Sequence, residues 1–166
     1  SAFATDFATS AGRCNCTTVT NPSQTVVTCT GDVWDGVSEF RLRGVAAVEN
    51  GVSTSAVRNP SRFAAPWSYV TEKDNAERAW KSLLAAMESV EPDLRVLKVV
   101  HEDDKYYYHA LAGDDDIEFI LRPEDKVVLF RSAARTSTFV YPLTQPVYDG
   151  QRNQKRMEKI RKALGW

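Results

Sequence analysis

The stretch that decides the fold runs from Leu94 to Ser132 and reads LRVLKVVHEDDKYYYHALAGDDDIEFILRPEDKVVLFRS. Four apolar runs alternate in it with three polar turns. Leu94 to Val100 is the first run, Lys105 to Leu111 the second, Ile117 to Leu121 the third and Lys126 to Ser132 the fourth. Glu102-Asp103-Asp104, Gly113-Asp114-Asp115 and Arg122-Pro123-Glu124-Asp125 separate them. Connections this short predict an antiparallel meander, because a parallel crossover needs a dozen or more residues. Alternation puts Tyr106 and Tyr108 on one face, as core or interface, and Tyr107 on the other.

A helix is predicted on each side of the meander. Upstream, Asp74 and Glu77 form a helix-start signature. Trp80, Leu83, Leu84 and Met87 then make one apolar stripe, and Pro92 ends the helix. Downstream, a closing helix is expected from about Gln151, with Met157, Ile160 and Leu164 on one face. The expected class is α+β: a four-stranded antiparallel sheet flanked by two helices, with a long irregular N-terminal arm. The arm is placed at residues 1–70 and the α+β domain at 71–166.

Residues 1–70 hold no Lys and are dense in Thr, Ser, Asn and Gly. Residues 1–50 have few large apolar side chains, and ordering a chain costs about 1–2 kcal/mol per residue, so an ordered arm either wraps the domain or lies on a partner. Phe3, Phe7 and Trp34 are expected as partner-binding anchors, with Arg41 and Arg43 pairing with acidic neighbours.

The whole chain of 166 residues has 43% hydrophobic and 26% charged residues and a net charge of −1. That balance gives no global pull toward nucleic acid, which is not expected as a partner. No apolar run reaches the roughly 20 residues of a membrane helix, so no transmembrane span is expected. Charge is nonetheless segregated. Glu102 to Asp125 carries nine carboxylates against Lys105 and Arg122. Gln151 to Leu164 carries Arg152, Lys155, Arg156, Lys159, Arg161 and Lys162 against Glu158. Each run reads either as a solvated face or as a docking surface for a partner of opposite sign.

Catalytic sets are sparse. His101 and His109 fall on neighbouring predicted strands, and Ser132 stands without a nearby His. No glycine-rich phosphate loop occurs, and no metal or other cofactor is expected. Cys14, Cys16 and Cys29 fall short of the four ligands of a structural zinc site; a Cys14–Cys29 or a Cys16–Cys29 bridge is open. Asp115, Asp116 and Glu118 lie at a strand start, and Arg131 and Arg135 at the end of the adjacent strand. They are expected to form a buried Arg–carboxylate network that ties the sheet to the last helix through Asn153 and Arg156. The other use of these residues is an anion-binding site.

Several pieces in order carry a family resemblance. They are Val52-Ser53-Thr54-Ser55, Ala65-Pro66-Trp67-Ser68-Tyr69, Asp115-Asp116-Ile117-Glu118-Phe119, Phe130-Arg131-Ser132-Ala133-Ala134-Arg135 and Asn153-Gln154-Lys155-Arg156-Met157-Glu158-Lys159-Ile160-Arg161. Over about residues 50–165 the chain resembles the family called domain of unknown function 1499, found in bacteria and in algal and plant plastids. The family usually has Cys before the Val-Ser-Thr-Ser piece, where this chain has Gly51, and often a shorter link between Arg135 and Asn153. It offers no reaction to carry over. Ser1-Ala2-Phe3-Ala4 is similar to an element of algal plastid presequences, and the lack of a start Met is expected from processing.

The resemblance implies a plastid protein, expected on the stromal side of the thylakoid membrane rather than in the lumen. The expected role is a non-catalytic peripheral subunit or docking factor of a photosynthetic complex, photosystem I before others, with protein subunits of that complex as partners. In the stroma the three thiols would be reduced. The alternative is a small-molecule or anion-binding protein, or a hydrolase, using Asp116, Glu118, Arg131 and Arg135.

Overall fold

The computed structural model describes residues 14–31, 40–45, 49–143 and 146–166. The meander forms as its pattern predicts, with strands β5 (Arg95–Glu102), β6 (Lys105–Ala112), β7 (Asp115–Arg122) and β8 (Val127–Ala134) paired antiparallel in sequence order. Two short strands, β3 (Gly51–Ser53) and β4 (Trp67–Ser68), both pair with the free side of β8. The sheet therefore has six strands rather than four.

A second, three-stranded sheet has the order β1-β2-β9. It joins the hairpin β1 (Cys14–Thr20) and β2 (Thr25–Gly31) to β9 (Thr136–Val140). Residues expected to be irregular thus supply β1 to β4. The physical reason lies in Thr17-Thr18-Val19-Thr20 and Thr25-Val26-Val27-Thr28, whose branched side chains suit a pleated strand although Thr reads as polar. The hairpin turns at Asn21, whose carboxamide oxygen accepts from the Ser23 and Gln24 amides. Val27 pairs with Phe139, and both are fully buried. Cys16 lies opposite Cys29 and is joined to it by a disulfide, against the expectation of reduced thiols.

Helices α1 (Ala76–Val90) and α2 (Arg152–Leu164) cover one face of the six-stranded sheet. The predicted stripe is realised: Trp80, Leu83 and Met87 are buried against Tyr106, Tyr108, Ile117, Phe119 and Leu121, together with Met157 and Ile160 of α2. Trp67 packs over Phe130 at 4.5 Å between ring centroids. The helix start differs from its signature. Asn75, not Asp74, caps α1 by accepting from the Arg78 amide at 3.0 Å. Asp74 has a positive φ and pairs with Lys126 instead. The other face of the sheet is covered by residues 40–45, where Leu42 packs on Tyr107 and Ile120. No described helix is long and apolar enough to cross a membrane.

Candidate functional site

Strand alternation splits the acidic piece of β7. Asp115, Ile117 and Phe119 face the helices, while Asp116, Glu118 and Ile120 face the other way. On the helix side Asp115 is 1% exposed. Arg152 grips it with two bonds, Nε to Oδ2 at 2.7 Å and Nη2 to Oδ1 at 2.8 Å. Arg156 adds Nη1 at 2.9 Å from Oδ2 and turns its Nε to Glu91 at 2.8 Å. Asn153 Oδ1 accepts from Arg156 Nη1 and from the Ser132 hydroxyl, at 2.9 and 2.7 Å. These bonds clamp α2 to β7, β8 and the end of α1. Burial alone would raise the Asp115 pKa, but the hydrogen bonds and charges of Arg152 and Arg156 outweigh it and hold the group below the usual carboxylate value.

The opposite face carries a second, separate polar layer. Asp116 Oδ1 meets His109 Nε2 at 2.8 Å. Arg135 holds the same carboxylate with Nη2 to Oδ1 at 2.6 Å and Nε to Oδ2 at 3.1 Å. Here too burial pushes the pKa up, and the bonds from His109 and Arg135 bring it below the usual value. Glu118 stands directly across the ladder from Arg131, and both are almost wholly buried. The Tyr107 hydroxyl donates to Glu118 Oε2 at 2.6 Å. Among the described residues Glu118 Oε1 accepts no hydrogen bond, and it lies 4.0 Å from Arg131 Nη1. Arg131 also reaches Glu49 Oε2 at 2.8 Å and the Gly44 carbonyl at 3.2 Å. Ser53 Oγ donates to the Arg43 carbonyl at 2.7 Å, so Arg43, Gly44 and Glu49 are each tied to this face.

The seven residues expected in one network thus form two. Asp115, Asn153 and Arg156 tie the sheet to the last helix; Asp116, Glu118, Arg131 and Arg135 lie behind the sheet, away from it. Among the residues expected to bind a partner, Phe3, Phe7 and Trp34 lie outside the described residues. Arg41 is exposed, whereas Arg43 is half-buried, with its pKa lowered by burial and by the charge of Arg131. Sequence reasoning missed Arg152, Glu49, Tyr107 and His109 as members of these layers. Arg152 was within reach of it, since it sits one helical turn before Arg156. The two histidines do not converge. His101 pairs with Glu77 at 2.6 Å and stacks on Tyr106 on the helix side. Among the described residues no group of three His, Cys, Asp or Glu is placed to hold a metal.

Two open concavities lie along α2. A cleft of about 360 Å³ is lined by Asn50, Gly51, Arg62, Tyr148, Asp149 and Asn153. Strand β3 presses close to β8 there: a Cβ on Gly51 would lie 2.5 Å from the Ala133 Cβ and 2.6 Å from the Ser132 carbonyl oxygen. A groove of about 670 Å³ runs along the outer side of α2, lined by Arg152, Lys155, Lys159 and Lys162, with Glu91 and Glu158. Lys155, Lys159 and Lys162 are exposed and make no ion pair among the described residues. Asp115 and Asp116, held ionised by arginine, are poorly suited to proton donation near neutral pH. The lysine row, by contrast, is free to attract an anionic surface.

The family model described as protein of unknown function (DUF1499) matches residues 41–164, and the chain belongs to that family. No curated protein and no solved structure is significantly similar to the chain.

Proposed function

We propose that this member of the DUF1499 family is a non-catalytic plastid protein, a peripheral subunit or docking factor of a thylakoid photosynthetic complex, with photosystem I as that complex. The observation that carries the docking role is the contrast in charge use. The arginines and carboxylates within the fold are spent on each other, while the outer side of α2 presents lysines with no partner among the described residues. Gly51 supports the non-catalytic part, because it stands where the family usually has Cys and leaves no room for a side chain. The plastid and photosystem assignments rest on the sequence resemblances.

The alternative, an anion-binding protein or hydrolase built on Asp116, Glu118, Arg131 and Arg135, meets an obstacle. All four side chains are buried or nearly so and engaged with one another or with Glu49 and His109. For the side of the membrane, the sequence favours the stroma and the Cys16–Cys29 bridge favours an oxidising compartment such as the lumen. Alkylation of the native protein without reductant decides between them: a closed pair assigns the lumen, an open pair the stroma.

The docking role is tested by returning purified protein to membranes stripped of it. The triple variant Lys155→Gln, Lys159→Gln, Lys162→Gln is expected in the soluble fraction at moderate salt, with an unchanged melting curve. Retention equal to that of the unaltered protein would refute α2 as the docking face.

A further inference from the structure

We infer that the anionic surface met by α2 is a layer of lipid headgroups, and that the loop leading into the helix inserts apolar side chains beside the lysines. The inference rests on the docking reading of α2 and names what that face touches.

The loop is the first observation. Ten large apolar side chains are exposed among the described residues, and four of them, Tyr141, Leu143, Val147 and Tyr148, fall within eight positions. Their exposures run from 54% to 67%. Isolated exposed apolar side chains need no explanation, but a cluster marks a contact surface. At Val147 the backbone is fastened while the side chain projects. The Val147 amide donates to the Thr138 carbonyl and the Val147 carbonyl accepts from Asn50 Nδ2, both at 2.6 Å. The display is therefore pre-organised, and insertion does not first have to order the Val147 backbone.

The second observation is the kind of cation that faces out. Arg152 and Arg156 are committed to Asp115, and Arg161 donates from Nε to the Trp166 carbonyl. What remains outward at i, i+4 and i+7 is Lys155, Lys159 and Lys162. Lysine is a point charge on a flexible stem, suited to a diffuse field of headgroups. A protein carboxylate held in one fixed position would gain more from the planar fork of arginine. Only Asp149 to Gln151 separate Tyr148 from the start of α2. An apolar loop joined to a lysine-lined helix is the pairing that peripheral proteins use at anionic bilayers, the apolar groups entering the interface and the lysines staying at headgroup level.

Sedimentation with vesicles tests the inference, since vesicles contain no protein partner. The full chain is expected to bind vesicles of mixed phosphatidylglycerol and phosphatidylcholine at low salt, to leave them as salt rises, and to ignore pure phosphatidylcholine. Near such a surface each lysine contributes about a fivefold gain in partitioning, so the triple Lys→Gln variant should bind on the order of a hundredfold more weakly. The pair Leu143→Ser and Tyr148→Ser should also weaken binding, with the salt dependence unchanged. Three results overturn the inference. One is a full chain that does not bind the anionic vesicles while its retention on native membranes still depends on the lysines; the partner is then an acidic protein surface, and the docking reading stands. Another is a loop variant that binds like the unaltered chain, which removes the loop from the contact. The third is native membrane retention independent of the lysines, which removes the docking reading as well.

Discussion

Replacing Arg131 with Met tests the polar layer behind the sheet. Arg131 and Glu118 face each other across the β7–β8 ladder, each 1% exposed. Among the described residues Glu118 Oε1 has no hydrogen bond, and the Arg131 guanidinium lies 4.0 Å from it. At that distance, with an effective dielectric constant of about 20, the attraction is about 4 kcal/mol. The substitution also leaves Glu49 Oε2 and the Gly44 carbonyl without their guanidinium donor. Breaking a buried pair from one side costs about 3–5 kcal/mol, because a charge stays buried without a partner. In a chain of this size each kcal/mol moves the melting temperature by about 2–4 °C, so a fall of roughly 6–20 °C is expected by calorimetry at neutral pH. Adding Glu118→Gln should restore a large part of that loss, since it removes the stranded charge and keeps a partner for Tyr107. An Arg131→Met protein within about 1 kcal/mol of the parent, or a double variant no better than the single one, would refute the reasoning.

Two further outcomes follow from the same layers. Asp115 and Asp116 have folded-state pKa values below the ordinary 3.8, so their stabilisation is fully present above about that pH and drains away as pH falls through the lowered values. Urea melts between pH 5 and 2 should therefore show an acid limb that flattens in Asp115→Asn or Asp116→Asn; a limb identical to the parent's would exclude these groups as its source. Gly51→Ala should destabilise the fold by about 1–3 kcal/mol, because the new methyl meets Ala133 and the Ser132 carbonyl at 2.5–2.6 Å. Ala133→Gly should relieve only part of that, since the carbonyl contact remains, and a neutral Gly51→Ala would show that β3 has room to shift.

The central meander was legible because its signals are local: alternation in Tyr106-Tyr107-Tyr108 and charged turns two to four residues long. The helices were legible from their stripes, although the cap was misplaced by one residue. Asp74 and Asn75 are both good caps by composition, and only the backbone, turned to positive φ at Asp74, decides between them. The second sheet was not legible. Its Thr-rich strands resemble a polar arm, and β9, which gives β2 its partner, lies about a hundred residues further along the chain. In the polar network, pairing across the ladder was readable: Glu118 was expected near Arg131 and stands opposite it. The division of Asp115 from Asp116 was equally available from alternation, which puts neighbours along a strand on opposite faces. The covering segment that brings Glu49 to Arg131 is 82 residues away in sequence and left no local signal.

The most direct test of docking through α2 is amine-reactive labelling of the native protein, read out by mass spectrometry lysine by lysine, on the membrane and after release. Lys155, Lys159 and Lys162 are expected to label several-fold more slowly on the membrane, while Lys81, Lys98 and Lys105 keep their rates. Equal rates at the three α2 lysines in both states, or protection confined to the other lysines, would contradict docking through α2.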